Sequence, residues 1–188
     1  MVQQTTDGGY IAVGSTSGAY DDDGTNSSDV YLVKTFSNGV TQWTRTYDNS
    51  NQEIGRFVQQ TTDGGYIIVG DTGYDVYLLK TNPAGNEEWS QTFGWSEDCE
   101  RGKSVIQTSD GGYIIISTKV VGPTEFFGCG DEDSPTYIYI IKTDENGEEE
   151  WSQLYGSGSI GISQYPASLI GAQSIHETTD GGYIFAGL

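Results

Sequence analysis

The residues best suited to chemistry in this 188-residue chain lie in a few segments between short apolar runs. Asp21-Asp22-Asp23-Gly24-Thr25-Asn26-Ser27-Ser28-Asp29 spaces acids around a glycine turn. That pattern offers hard oxygen ligands to a calcium ion, which takes about six to eight of them. Asp21, Asp23 and Asp29 are the candidate calcium ligands, but a solvated acidic loop is the more common explanation of such a run, since no bidentate Glu follows as in an EF-hand. Asp131, Glu132 and Asp133 form a second, weaker acidic group.

Cys99 and Cys129 are the two cysteines of the chain and are expected to form a disulfide, two unrelated thiols being the alternative. With one histidine and no close Cys spacing, a zinc site is not supported. His176 stands where sister segments carry Gln59 and Ile106, which points to a surface position rather than a catalytic one. No GxSxG, P-loop or dinucleotide phrase occurs between a strand and a helix. The acids would permit a glycosidase pair, but nothing singles out two of them.

These segments must be held by a scaffold, and the scaffold is written repeatedly. TTDGGYIIVG at Thr61 to Gly70 returns as TTDGGYIAVG from Thr5, TSDGGYIIIS from Thr108 and TTDGGYIFAG from Thr178. Its aspartate falls at Asp7, Asp63, Asp110 and Asp180, spacings of 56, 47 and 70 residues. Repeat units therefore run about 7–62, 63–109 and 110–179, with a partial unit at 180–188. Each full unit reads as four short strands: GGYIIVG, DVYLLKT, EEWSQTF and KSVIQT in the unit that begins at Asp63. The DGG and NG or AG turns supply the positive-φ positions of tight antiparallel connections. The first two strands are apolar on both faces, which implies that each sheet stacks on neighbours.

Four-stranded units of this length with a Trp in register, Trp43, Trp89 and Trp151, form the pattern of a β-propeller blade. Those tryptophans read as packing residues because they recur in every unit. The chain resembles the secreted bacterial and archaeal propellers built from DGGYI…W repeats, themselves similar to kelch repeats. The kelch Gly-Gly doublet that closes the strand is replaced here by Gly70-Asp71 or Ser117-Thr118. The resemblance implies an all-β propeller of four-stranded antiparallel blades, with three full blades and partial blades at both ends. Val2 to Thr6 reads as a lone fourth strand and Tyr183 to Gly187 as a lone first strand. Because Met1 is followed at once by the interior of a repeat, the reading expects a longer parent, or self-association through these unpaired strands.

Acidic residues outnumber basic ones 27 to 8, for a formal charge of −19. Nucleic acid and anionic membrane surfaces would be repelled, and no apolar run reaches membrane-spanning length. An antiparallel meander puts the DGG and SNG, PAG or ENG turns on one edge and the other connections on the opposite edge. All the insertions belong to that second edge, where variable loops on a rigid scaffold carry binding residues. Tyr20, Trp95, Phe126, Phe127 and Tyr165 lie in these insertions and could stack on sugars or anchor a protein. The expectation is a non-catalytic, extracellular or cell-surface binding module for glycans or proteins. A structural module of a filament or surface assembly and a polysaccharide hydrolase are the two rivals.

Overall fold

The computed structural model describes residues 1–16, 28–48, 52–95, 98–121, 135–156 and 172–187, and all regular structure among them is β-strand. β1 (Val2–Gln4), β2 (Tyr10–Ser15), β3 (Val30–Thr35) and β4 (Thr41–Tyr47) form one antiparallel sheet in that order. β5 (Glu53–Gln60), β6 (Tyr66–Thr72), β7 (Asp75–Thr81) and β8 (Glu87–Phe93) form a second. β9 (Asp98–Gln107), β10 (Tyr113–Val121), β11 (Thr136–Thr143) and β12 (Glu149–Tyr155) form a third. β13 (Ala172–Glu177) and β14 (Tyr183–Gly187) pair as a two-stranded sheet.

The sheet boundaries fall one strand away from the boundaries counted in the sequence. Val2–Gln4 is not a lone strand: it pairs with the strand that follows it, Val2 opposite Ala12 and Gln4 opposite Tyr10. Tyr183–Gly187 likewise pairs with β13. The partial blade expected at the amino-terminal end is therefore a complete sheet, and only the last described sheet is partial. The physical reason is the DGG turn. Gly8 donates its N–H to Thr5 O at 2.9 Å, and Thr5 donates to Gly9 O at 2.9 Å, closing a hairpin between β1 and β2. The same pair of bonds recurs at Thr61, Thr108 and Thr178. Gly8, Gly64, Gly111 and Gly181 hold φ between 81° and 94°, the left-handed region that glycine enters without steric cost. A tight hairpin fixes its two strands in one sheet, whereas the connection after the tryptophan strand crosses to the next.

Successive sheets pack face to face, which explains why β6, β7 and β10 are apolar on both sides. Tyr66, Ile68, Tyr77 and Leu79 of the second sheet pack with Ile11, Val13, Val30 and Leu32 of the first. The alternate residues Ile67, Val69, Val76 and Leu78 pack with Val105, Tyr113, Ile115 and Ile141 of the third. Ile114, Ile116 and Ile140 then meet Ile175 of β13. At roughly 1.5–3 kcal/mol per buried large aliphatic side chain, these interfaces are the main favourable contribution to stability.

Each tryptophan that recurs in register locks one sheet to the next. Trp43 meets Tyr66 edge-on at 5.9 Å, Trp89 meets Tyr113 at 5.7 Å, and Trp151 lies 6.0 Å from Tyr183. A methyl group built on Gly85 would lie 2.9 Å from the Trp43 ring, and one on Gly147 2.6 Å from the Trp89 ring. Glycine at these turns thus serves both the positive φ and the closeness of the indole. Glutamines clamp the same interfaces: Thr6 N donates to Gln60 Oε1 and Gln60 N to Gln3 Oε1, both at 2.8 Å. Thr62 and Gln107 repeat this with Gln107 and Gln59. The described sheets do not close a ring, and no helix among the described residues is long and apolar enough to cross a membrane.

Candidate functional site

The two edges of the sheets differ in chemistry. At the tight-turn edge, Asp7, Asp63 and Asp110 organise the DGG turns identically. Asp63 Oδ1 accepts from Thr61 Oγ1 at 2.5 Å and from Gly65 N at 2.9 Å, and its Oδ2 pairs with Lys80 Nζ at 2.8 Å. The lysine is almost wholly buried and also donates to Thr81 O at 3.0 Å and Glu88 Oε2 at 2.8 Å. Lys34 and Lys142 likewise pair with Asp7 and Asp110 and donate to Thr35 O and Thr143 O, and Lys142 also reaches Glu150 Oε2. For Asp7 the Lys34 hydrogen bond is the main reason the carboxyl is held well below its usual range. Burial works against the shift at Asp63, yet the hydrogen bonds from Lys80, Thr61 and Gly65 lower it to about 2. Those from Thr108 and Lys142 bring Asp110 to about 2. These bonds hold each turn aspartate in place, so the repeated phrase acts as a structural clamp.

At the opposite edge the described residues form a cleft of about 340 Å³ between the β6–β7 turn and the segment leading into β9. Tyr74 and Trp95 line it, each 45% exposed, and Asp75 and Asp98 supply its carboxylates. Gly73 permits the turn, with φ of 57°. Trp95 is fixed from within: its ring lies 5.0 Å from Tyr139, and Lys119 Nζ sits 3.5 Å from the ring centroid. Lys119 is buried and bridges Asp98 Oδ2 and Glu100 Oε1, both at 2.6 Å. Glu100 is fully buried, and burial raises its carboxyl against the opposing pull of Lys119. Its Oε2 has no hydrogen-bond partner among the described residues. An immobilised indole rimmed by carboxylates can stack on the apolar face of a ring while the acids accept hydrogen bonds from hydroxyls.

Trp95 is the sequence-proposed aromatic that the structure brings into this cleft. Tyr20, Phe126, Phe127 and Tyr165 lie outside the described residues, as do Asp21, Asp23 and Cys129. Cys99 is buried beside Glu100 and is disulfide-bonded. Asp29, the remaining candidate calcium ligand, is described, and one carboxylate oxygen of each of Asp29, Asp48 and Glu53 lies within 4.8 Å of the others. Asp29 is half-buried, Asp48 exposed and Glu53 fully buried, and Glu53 Oε1 accepts from Thr72 Oγ1 at 3.0 Å. His176 is exposed on β13 opposite Ile184.

Sequence reasoning missed Lys119, Glu100 and Glu53. A signal was present: Glu-x-Gly-Arg/Lys recurs at Glu53 to Arg56 and at Glu100 to Lys103. In both places the glycine abuts the preceding sheet. A methyl group on Gly55 would lie 2.5 Å from Val13 Cγ2, and one on Gly102 2.5 Å from Val69 Cγ2. No family model matches the chain, and no curated protein matches it.

Proposed function

We propose that the chain is a segment of an extracellular β-propeller that binds glycans at the edge of its sheets opposite the DGG turns, without catalysing a reaction on them. The observation that carries this reading is Trp95, which is immobilised by Lys119 and Tyr139 yet 45% exposed in a cleft with Tyr74, Asp75 and Asp98. The ring is pre-organised, which limits the ordering entropy of binding. The recurrent four-stranded sheets, stacked face to face with a tryptophan at each junction, support the propeller arrangement. The charge of −19 argues for a ligand that is neutral or cationic.

The carboxyl with a raised affinity for its proton, Glu100, is fully buried beneath Lys119, which favours binding over acid catalysis at this cleft. The test is a panel of neutral and cationic oligosaccharides followed by Trp fluorescence and calorimetry. Trp95→Ala is expected to weaken binding at least about tenfold, which corresponds to about 1.4 kcal/mol, with the fold retained by circular dichroism. Unchanged affinity in that variant would remove the cleft from the reading, and release of reducing ends from any bound glycan would replace the module with a hydrolase.

A further inference from the structure

The corner at Trp95 holds more carboxylates than its one ammonium can balance. Asp98 and Glu100 both pair with Lys119 Nζ at 2.6 Å, which leaves Asp75 as a third acid beside them. Asp75 begins β7 and is half-buried. No described residue donates a hydrogen bond to its carboxylate or forms an ion pair with it. Burial is the main reason the Glu100 carboxyl is pushed up against the pull of Lys119, and the charges of Asp98 and Asp75 add to the rise. The corner therefore carries uncompensated negative charge in a partly desolvated place, where a counter-ion is worth more than in bulk water.

The backbone makes room for this acid. Gly94 links β8 to Trp95, and a methyl group there would collide with Asp75 Oδ1. The carboxylate is thus lodged against the chain that leads to the indole. Asp75 stands opposite Thr72, and the turn between them carries Tyr74. Two partly exposed aromatic rings beside an unpaired carboxylate suit an ammonium group, which is attracted both to ring faces and to the acid. A divalent metal ion is served less well, because it prefers a cage of several oxygens. Among the described residues the acids that converge in that way are Asp29, Asp48 and Glu53, at another corner.

We propose that this cleft selects glycans that carry a free amino group, with the ammonium paired to Asp75 and the sugar ring laid against Trp95. This selectivity rests on the glycan reading above and narrows it to cationic sugars. Asp75 sets the charge preference, Trp95 supplies the platform, and Thr72 and Thr92 line the remaining wall.

The test titrates the full chain with an oligomer of β-1,4-linked glucosamine and with its fully N-acetylated counterpart, followed by calorimetry and Trp fluorescence. The free amine is expected to bind at least about tenfold more tightly. Asp75→Asn, which keeps the shape of the side chain beside Gly94, should remove that preference, and raising the ionic strength should narrow it. The two oligomers are compared on the unaltered chain, so a folding defect in the variant does not confound the first result. Equal affinity for the two oligomers, or a preference that survives Asp75→Asn, would overturn the proposal and leave the glycan reading standing. A lysine-rich peptide that binds as tightly as the amino sugar would overturn it in favour of a protein ligand. If neither oligomer binds, the proposal fails, and the neutral sugars of the wider panel decide separately whether the glycan reading fails with it.

Discussion

Glu53 and Glu100 occupy the same place in successive sheets. Both are fully buried, and the backbone N–H of each donates at 2.6 Å to a carbonyl in the preceding connection, Ser28 O for Glu53 and Tyr74 O for Glu100. Each precedes a glycine that touches the previous sheet. Across the strand Glu53 faces Thr72, and Glu100 faces Lys119. That one difference reorganises the corner. Around Glu53 the acids Asp29 and Asp48 gather, a hydroxyl donates to the carboxylate, and the nearby cation Arg56 is engaged in a bidentate pair with Asp71, at 2.5 and 2.7 Å. Around Glu100 the ammonium of Lys119 lies between two carboxylates and beneath an indole. The comparison teaches that the backbone of this edge tolerates opposite charge patterns, and that the aromatic cleft depends on a cation placed behind it. A buried cation is a costly way to hold a tryptophan unless its charge is fully compensated.

The largest test of the comparison is to remove that cation. Lys119→Met leaves Glu100 and Asp98 without their partner and is expected to cost about 3–5 kcal/mol in urea unfolding, because a buried charge is stranded. Thr72→Val at the equivalent position removes one hydroxyl bond to Glu53 and is expected to cost about 1 kcal/mol. Equal costs would show that Lys119 is not the feature that separates the corners.

A second test probes what the corners share. Gly55→Ala and Gly102→Ala each push a methyl group against a valine of the preceding sheet, at 2.5 Å in both cases. Each is expected to cost about 2 kcal/mol by overpacking. A tolerant Gly102 beside an intolerant Gly55 would show that the second corner opens to make room, and the equivalence would fail at the backbone.

The smallest effect belongs to the tight-turn edge, the control region where every full sheet carries its lysine. Asp7, Asp63 and Asp110 have folded pKa values below the unfolded value of about 3.9. The sign follows: their contribution is complete above about pH 4 and is lost as pH falls through the folded values, about 2 for Asp63 and Asp110 and lower still for Asp7, where the carboxylates take up protons. Thermal unfolding followed from pH 5 to 2 should show the midpoint falling mainly below pH 4. Asp63→Asn should flatten part of that fall. A midpoint insensitive to pH in that range would show that the exposed sides of these carboxylates are fully screened.

Much of the scaffold was legible because its signals are local. DGG turns, Asn-Gly turns and two-sided apolar strands announce tight hairpins and stacked sheets within about ten residues of chain, and the in-register tryptophans announce the junctions. The phase of the sheets was less legible. Val2–Gln4 joins the strand after it because a hairpin closes there, while a repeat counted from one aspartate to the next cuts through that hairpin. The role of Lys34, Lys80 and Lys142 was hidden for another reason: a lysine at the end of an apolar strand looks solvent-directed in sequence, yet its ammonium reaches a turn 17 to 32 residues away. Of the site, Trp95 was legible as an inserted aromatic, but Lys119, Asp98 and Glu100 were not.

The sequence by itself determined the strand pattern, the turn conformations, the side of each sheet that bears variable loops, and a strongly acidic surface. These depend on side-chain periodicity and on the φ angles that glycine permits, both properties of neighbours in the chain. Only the tertiary structure decided which strands share a sheet, which carboxylates meet a cation, and which tryptophan lines a cleft. Trp43 and Trp89 pack against the tyrosine of the next sheet, whereas Trp95 projects into a cleft because Lys119 and Tyr139 hold its inner side. The physical reason is that burial and ion pairing depend on through-space neighbours from separate strands, and those neighbours exist only once the sheets have stacked.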